Sequence, residues 1–269
     1  MKTLNETLTL QEDAQNFLSS VSLNIEHALN VSPMTPLQSS PHLFSPPEVP
    51  HEVKQAITQL VQPTNYPCGP AVSSLKNNDY LVGVYSDFGT GHLTKELYND
   101  LLYFRQSQKT SGSLFLSFWA VFRDESVLNE DEFEKALWKE LSLLSSFEAS
   151  SVPWDKSFSS DPESSEFCLS VGGEAFFVVG LHRQSSRESR IFPWPTLIFN
   201  LYSQFDELAR LGRYDSIVKS NRARELKVHG TLNPMVEKYG DTWEAIQFSG
   251  KENPPDWKCP FHRALKVEN

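Results

Sequence analysis

"DYLVGVYSDFGTGHLTKELYNDLLYF", residues 79–104, decides the fold. Its opening, 79–88, is an apolar run rich in β-branched and aromatic residues, the composition of a buried strand. Its close, 92–104, places Leu93, Leu97, Leu101 and Phe104 on one helical face. The pattern repeats outward. "SLFLSFWAVF" (113–122) reads as a second strand, and Asn129 followed by Glu132 reads as a capping box. That box opens a helix whose Phe133, Leu137, Leu141 and Leu144 recur at helical spacing.

Residues 145–166 are rich in Ser, Asp and Pro and read as a long loop. "GEAFFVVGLH" (173–182) is a third strand and "WPTLIFN" (194–200) a fourth. Two helices follow, 203–211 and 214–228, stopped by Gly212 and Gly230. Asn233-Pro234 reads as an N-cap with proline at the first helical position. No internal repeat is present. The expectation is an α+β, α/β-like single domain with a mixed β-sheet flanked by helices.

Before this body, residues 32–50 carry Pro and Ser so densely that neither a helix nor a ladder can propagate. Ala14 to Leu29 has the pattern of a short amphipathic helix. Residues 1–50 are therefore expected to be a flexible arm and linker, and residues 51–269 the domain.

The net charge of −10 argues against nucleic-acid or anionic-membrane partners, because such surfaces need Lys and Arg to replace counterions. Cys68, Cys168 and Cys259 are too far apart for a disulfide framework or a zinc spacing, which fits a reducing compartment. The N-terminus lacks a secretory or mitochondrial pattern. No stretch approaches the roughly 20 apolar residues that span a bilayer. A cytoplasmic protein with no membrane partner is expected.

Several stretches could carry chemistry. "SDFGTGH" (86–92) joins strand to helix through two glycines, and reads either as a plain turn or as an anion cradle. Its Asp-Phe-Gly lacks the other parts of a kinase. Seven of the ten arginines (183, 187, 190, 210, 213, 222, 224) fall within 42 residues. Some suit solvated helix faces, but those of "HRQSSRESR" (182–190) lie in a loop between strands, where guanidinium groups can grip a carboxylate or phosphate. His182 ends a strand just before that loop, either bonded to backbone or free to act as ligand or base. Cys259, in "DWKCPFH" (256–262), is either core packing or a thiolate that stiff Pro260 holds toward a metal, as in some haem proteins. His262 beside it is a second candidate ligand. Glu244 and Asp241 could pair with a substrate cation or merely begin a helix.

Six pieces in order resemble the YqcI/YcgG family: "YPCGPA" (66–71), "FWAVF" (118–122), "GLHRQSSRESRIFPWPTLIFN" (180–200), "QFDELARLGRYD" (204–215), "HGTLNPMVEKYGDTWEAIQFSG" (229–250) and "WKCPF" (257–261). Some members are similar to haem-dependent N-oxygenases that hydroxylate a guanidino or amino nitrogen of arginine-like substrates. The resemblance implies a haem b cofactor with His182 or Cys259 as axial ligand, and Arg187, Arg190 and Trp257 as contacts to it or to a substrate carboxylate. Glu244 and Asp241 would then be the catalytic residues, placed to pair with a substrate cation. It also implies an arginine-like small molecule as partner and an electron donor whose identity the residues do not reveal. Two departures stand out: His182-Arg183 where His-Pro is expected, and Glu244-Ala245-Ile246-Gln247 where the third residue is expected to be arginine. The alternative class is a haem- or small-anion-binding module without turnover.

Overall fold

A computed structural model describes residues 48–62, 64, 66–148, 152–232, 244–254 and 256–262. The helix expected at Ala14–Leu29, nearly all of the 32–50 linker, the cap at Asn233-Pro234, and Asp241 lie outside the described residues.

Two short helices open the domain, α1 (His51–Leu60) and α2 (Gly69–Asn77). They are followed by β1 (Tyr80–Tyr85), α3 (Thr94–Ser111), β2 (Ser117–Phe122) and α4 (Glu130–Glu148). Next come β3 (Leu169–Val171), β4 (Glu174–Leu181), β5 (Thr196–Leu201), α5 (Tyr202–Arg210) and α6 (Tyr214–His229). Single 3-10 turns cover Glu188–Arg190 and Glu244–Gln247. The sheet order is β1-β2-β5-β4-β3. β1 and β2 are parallel, as a strand–helix–strand crossover requires, and every other pairing is antiparallel. The α+β mixed sheet expected from the periodicity is the observed architecture. The capping box is present, with Asn129 Oδ1 accepting from the Glu132 amide and Glu132 Oε2 from the Asn129 amide.

Side chains alternate across the sheet, and the alternation makes two unlike layers. Phe118, Ala120 and Phe122 of β2, Phe176 and Val178 of β4, and Leu197 and Phe199 of β5 face α3 and α4. There they meet Leu97, Leu101, Phe104, Phe133, Leu137, Trp138 and Leu141, together with Phe248, Trp257, Cys259 and Phe261 of the C-terminal strap. Gly180 is required at this layer: a Cβ there would stand 2.7 Å from the Phe133 ring and 2.9 Å from the Phe248 carbonyl. On the opposite face, Trp119, Val121, Leu181 and Ile198 pack with Val53, Ala56 and Ile57 of α1. That second layer is thinner and does not close.

The turn at 86–92 is a cradle for a carboxylate belonging to the chain itself. Glu140 of α4 is 2% exposed and accepts the Gly89 amide at 3.1 Å, with Gly91 as a second donor. Gly89 and Gly91 have φ of 73° and 78°, which lets the backbone turn its N–H groups inward. Burial pushes the Glu140 carboxyl up to about 6, against the opposing pull of those two amides. The anion expected at this loop is therefore internal.

Candidate functional site

Between the thinner face of the sheet and helices α1, α2, α5 and α6 lies a cavity of about 310 Å³. This falls at the lower end of the range for small-molecule sites, roughly 300–1,000 Å³. Its floor is Trp119, Phe177, Val179 and Ile198, the side chains that β2, β4 and β5 turn away from α3 and α4. Tyr202 and Phe205 of α5 and Tyr214, Ile217 and Val218 of α6 supply further walls. The lining is mainly aromatic and aliphatic, and Glu244 is the one formally charged side chain among the described residues that form it.

Glu244 and Gln247 begin and end one 3-10 turn, and both line the cavity. In that geometry positions i and i+3 eclipse, so a carboxylate and a carboxamide stand on the same side of the turn. The turn is tied down from both ends. The Tyr202 hydroxyl donates to Glu244 Oε2, and the Phe248 carbonyl accepts the Gly180 amide at 2.7 Å. Burial, then the neighbouring Cys168 and Glu244, hold the Tyr202 phenol well above its ordinary value, so it remains a donor. Gln247 is 9% exposed and Tyr66 8%, and both turn toward the cavity.

The residues singled out in the sequence divide between this cavity and other places. Glu244 is in it. Arg187 is not available to a cofactor, because its guanidinium is ion-paired with Glu225 of α6 and both side chains are 14% exposed. Arg190 donates from Nη1 to the Phe248 carbonyl at 3.1 Å and the Gly180 carbonyl at 3.3 Å. Its alkyl chain passes so close to Gly250 that a Cβ there would lie 2.6 Å from Cδ, which accounts for glycine at φ 83°. Desolvation lowers the Arg190 guanidinium to about 10. Trp257 packs in the core with its ring 6.0 Å from that of Trp138.

His182 and Cys259 bear directly on a haem. His182 is 2% exposed and stacks on Phe133 at 4.3 Å and 15°. Its Nδ1 lies 3.3 Å from the Leu128 carbonyl, and burial lowers its basicity, so the ring is neutral. A neutral imidazole anchored through Nδ1 to a carbonyl is the form that presents Nε2 to a metal. Burial pushes the Cys259 thiol up to about 12. Neither residue lines the cavity, and the even-numbered positions of β4, continued by His182, lie on the other face of the sheet from Val179. The expectation that the two converge on one cavity is corrected by this alternation: the sheet stands between them and the space. Among the described residues no group of three or more His, Cys, Asp or Glu forms a metal site, and no helix is long and apolar enough to cross a membrane.

Sequence reasoning found Glu244 but missed Gln247, Tyr202 and Tyr66. Tyr66 and Gln247 both fall within pieces that carry the family resemblance, the one signal that marked them. Fold and site together define an α+β domain with a cavity of small-molecule size on one face of its sheet. The family model for the YqcI/YcgG family matches residues 56–262, and the chain belongs to that family. Searches of curated proteins and of solved structures found no match.

Proposed function

We propose that the chain binds a small organic cation, an amine or guanidine, in the cavity beneath α5 and α6. The observation that carries this is the Glu244–Gln247 turn, which sets a carboxylate and a carboxamide side by side on the cavity, Glu244 being the one formally charged side chain among the described lining residues. A cation adds a charge partner to the carboxylate, the carboxamide oxygen can accept an N–H, and the aromatic walls favour the ligand's positive charge through their ring faces. An anion meets the opposite conditions. Arginine-like molecules fall in the favoured class.

On the family resemblance that cation would be the substrate of a haem-dependent N-oxygenase, but His182, whose imidazole could hold an iron, lies across the sheet from the cavity and does not meet a ligand there. Haem, when bound, supplies the oxidant for oxygen insertion. The chain's own part is to hold the cation by Glu244 and Gln247 and to keep the site dry with its aromatic walls. The second reading, a binding module without turnover, is favoured by one observation: the sheet lies between His182 and the cavity.

The absorption spectrum of the purified chain, before and after added haem, tests the choice. An intense Soret band that shifts in His182→Ala supports the oxygenase. A colourless protein that takes up no haem removes it and leaves the binding module. Mass spectrometry of amine and guanidine substrates for an added oxygen then separates turnover from carriage.

A further inference from the structure

The concentration of arginines between 183 and 224 has a structural counterpart in how α6 is held. Four of this helix's residues, Tyr214, Ile217, Val218 and Asn221, line the cavity, yet none of its side chains is buried. By contrast α1, which walls the same space, buries Val53, Ala56 and Ile57. The contacts that fasten α6 include polar and electrostatic ones. Arg187 pairs with Glu225, and Arg224 Nη1 donates to the Tyr66 carbonyl at 3.4 Å. The Arg213 guanidinium sits 5.8 Å from the centre of the Phe115 ring, and Asn221 Oδ1 accepts the Gly69 amide at 2.9 Å. Gly212 and Gly230 flank the helix at φ 66° and 72°. A Cβ at either glycine would meet nothing within 4 Å, so backbone freedom and not packing calls for glycine there.

We propose that α6 is a lid over the cavity, hinged at Gly212 and Gly230, with the Arg187–Glu225 pair as its latch. An element with few buried apolar contacts opens locally at lower free energy than the global unfolding of the domain. Its apolar face, Ile217 and Val218, looks into the cavity instead of into a packed core, so lifting it breaks a few polar contacts and admits solvent or ligand. Lids of this kind commonly control exchange between a cavity and solvent. The lid is independent of what the cavity binds.

Hydrogen exchange read by mass spectrometry on the full chain tests this without a ligand. Peptides from 214–229 should exchange at least about tenfold faster than peptides from 130–148, which belong to the packed layer. Glu225→Gln should accelerate 214–229 several-fold and leave 130–148 unchanged. Iodoacetamide labelling gives a second reading, because Cys68 lines the cavity while Cys168 and Cys259 are buried elsewhere. The variant should speed labelling at Cys68 alone. Equal protection of 214–229 and 130–148 in the unmodified chain overturns the lid. No effect of Glu225→Gln on 214–229, or equal acceleration of both regions and all three thiols, overturns the latch.

Discussion

The hydroxyl of Tyr202, first residue of α5, donates a hydrogen bond to the carboxylate of Glu244. The bond joins two segments 42 residues apart in sequence and fixes the one formal charge among the described lining residues against an aromatic wall. The phenol keeps its proton because burial disfavours the phenolate, so it acts on the carboxylate as a fixed donor. It positions Glu244 without being a base itself.

Tyr202→Phe therefore removes a positioning contact and keeps the charge. A hydrogen bond to a charged group contributes about 1.5–3 kcal/mol, so its loss should cost roughly tenfold or more in affinity for an organic cation. Calorimetric titration of the variant should show that loss, with unchanged selectivity for cations over neutral isosteres. The larger loss belongs to Glu244 itself.

The Glu140 cradle carries a pH dependence whose sign follows from its cause. Burial raises the folded carboxyl from 4.5 to about 6, so between those values the folded chain binds more protons than the unfolded one. Stability from this group accordingly falls as pH rises through that window, by about 2 kcal/mol in total. Glu140→Gln retains an acceptor for the glycine amides and cannot ionise. Urea unfolding at pH 4.5 and pH 7 should show the variant gaining on the unmodified chain at the higher pH and matching it more closely at the lower.

At Gly180 the structure demands the absence of a side chain. Gly180→Ala would drive a methyl group against the Phe133 ring and the Phe248 carbonyl, at 2.7 Å and 2.9 Å before relaxation. Overpacking of this kind costs about 1–3 kcal/mol. The strap carrying Phe248 also carries Glu244 and Gln247, so the variant should lose cation affinity together with stability. Equilibrium unfolding and titration on the same sample check both.

Much of the scaffold was legible because periodicity reports burial directly. β1, β2, β4 and β5 and helices α3 to α6 follow from alternating or helical apolar spacing, but α3 runs on to Ser111 and α4 to Glu148, inside the expected loop, and α1 has no counterpart in the sequence reading. Nor was α2 legible, since Gly69-Pro70 opens a short segment whose only fully buried residue is Ser74. β3 has three residues and is recognisable only through its hairpin with β4 across Gly172-Gly173. The site was harder. His182 was read as ending a strand, either bonded to backbone or free as a ligand or base, and the alternation of Phe176, Val178 and Gly180 places it on the α4 side of the sheet. Cys259 and Trp257 read as site residues because their aromatic setting looks the same in a core as beside a cofactor. Tyr66, Tyr202 and Gln247 are gathered from separate segments by tertiary packing, which no local pattern encodes.

The central claim is that Glu244 makes the cavity a site for an organic cation. Calorimetric titration of the full chain with a panel of small amines and guanidines, arginine among them, each paired with a neutral isostere, tests it most directly. The account predicts saturable binding of at least one cation, at least about tenfold tighter than its isostere, and its loss in Glu244→Gln. Saturable binding that is equal for cation and isostere or persists in Glu244→Gln, or no binding of any cation at all, would contradict it.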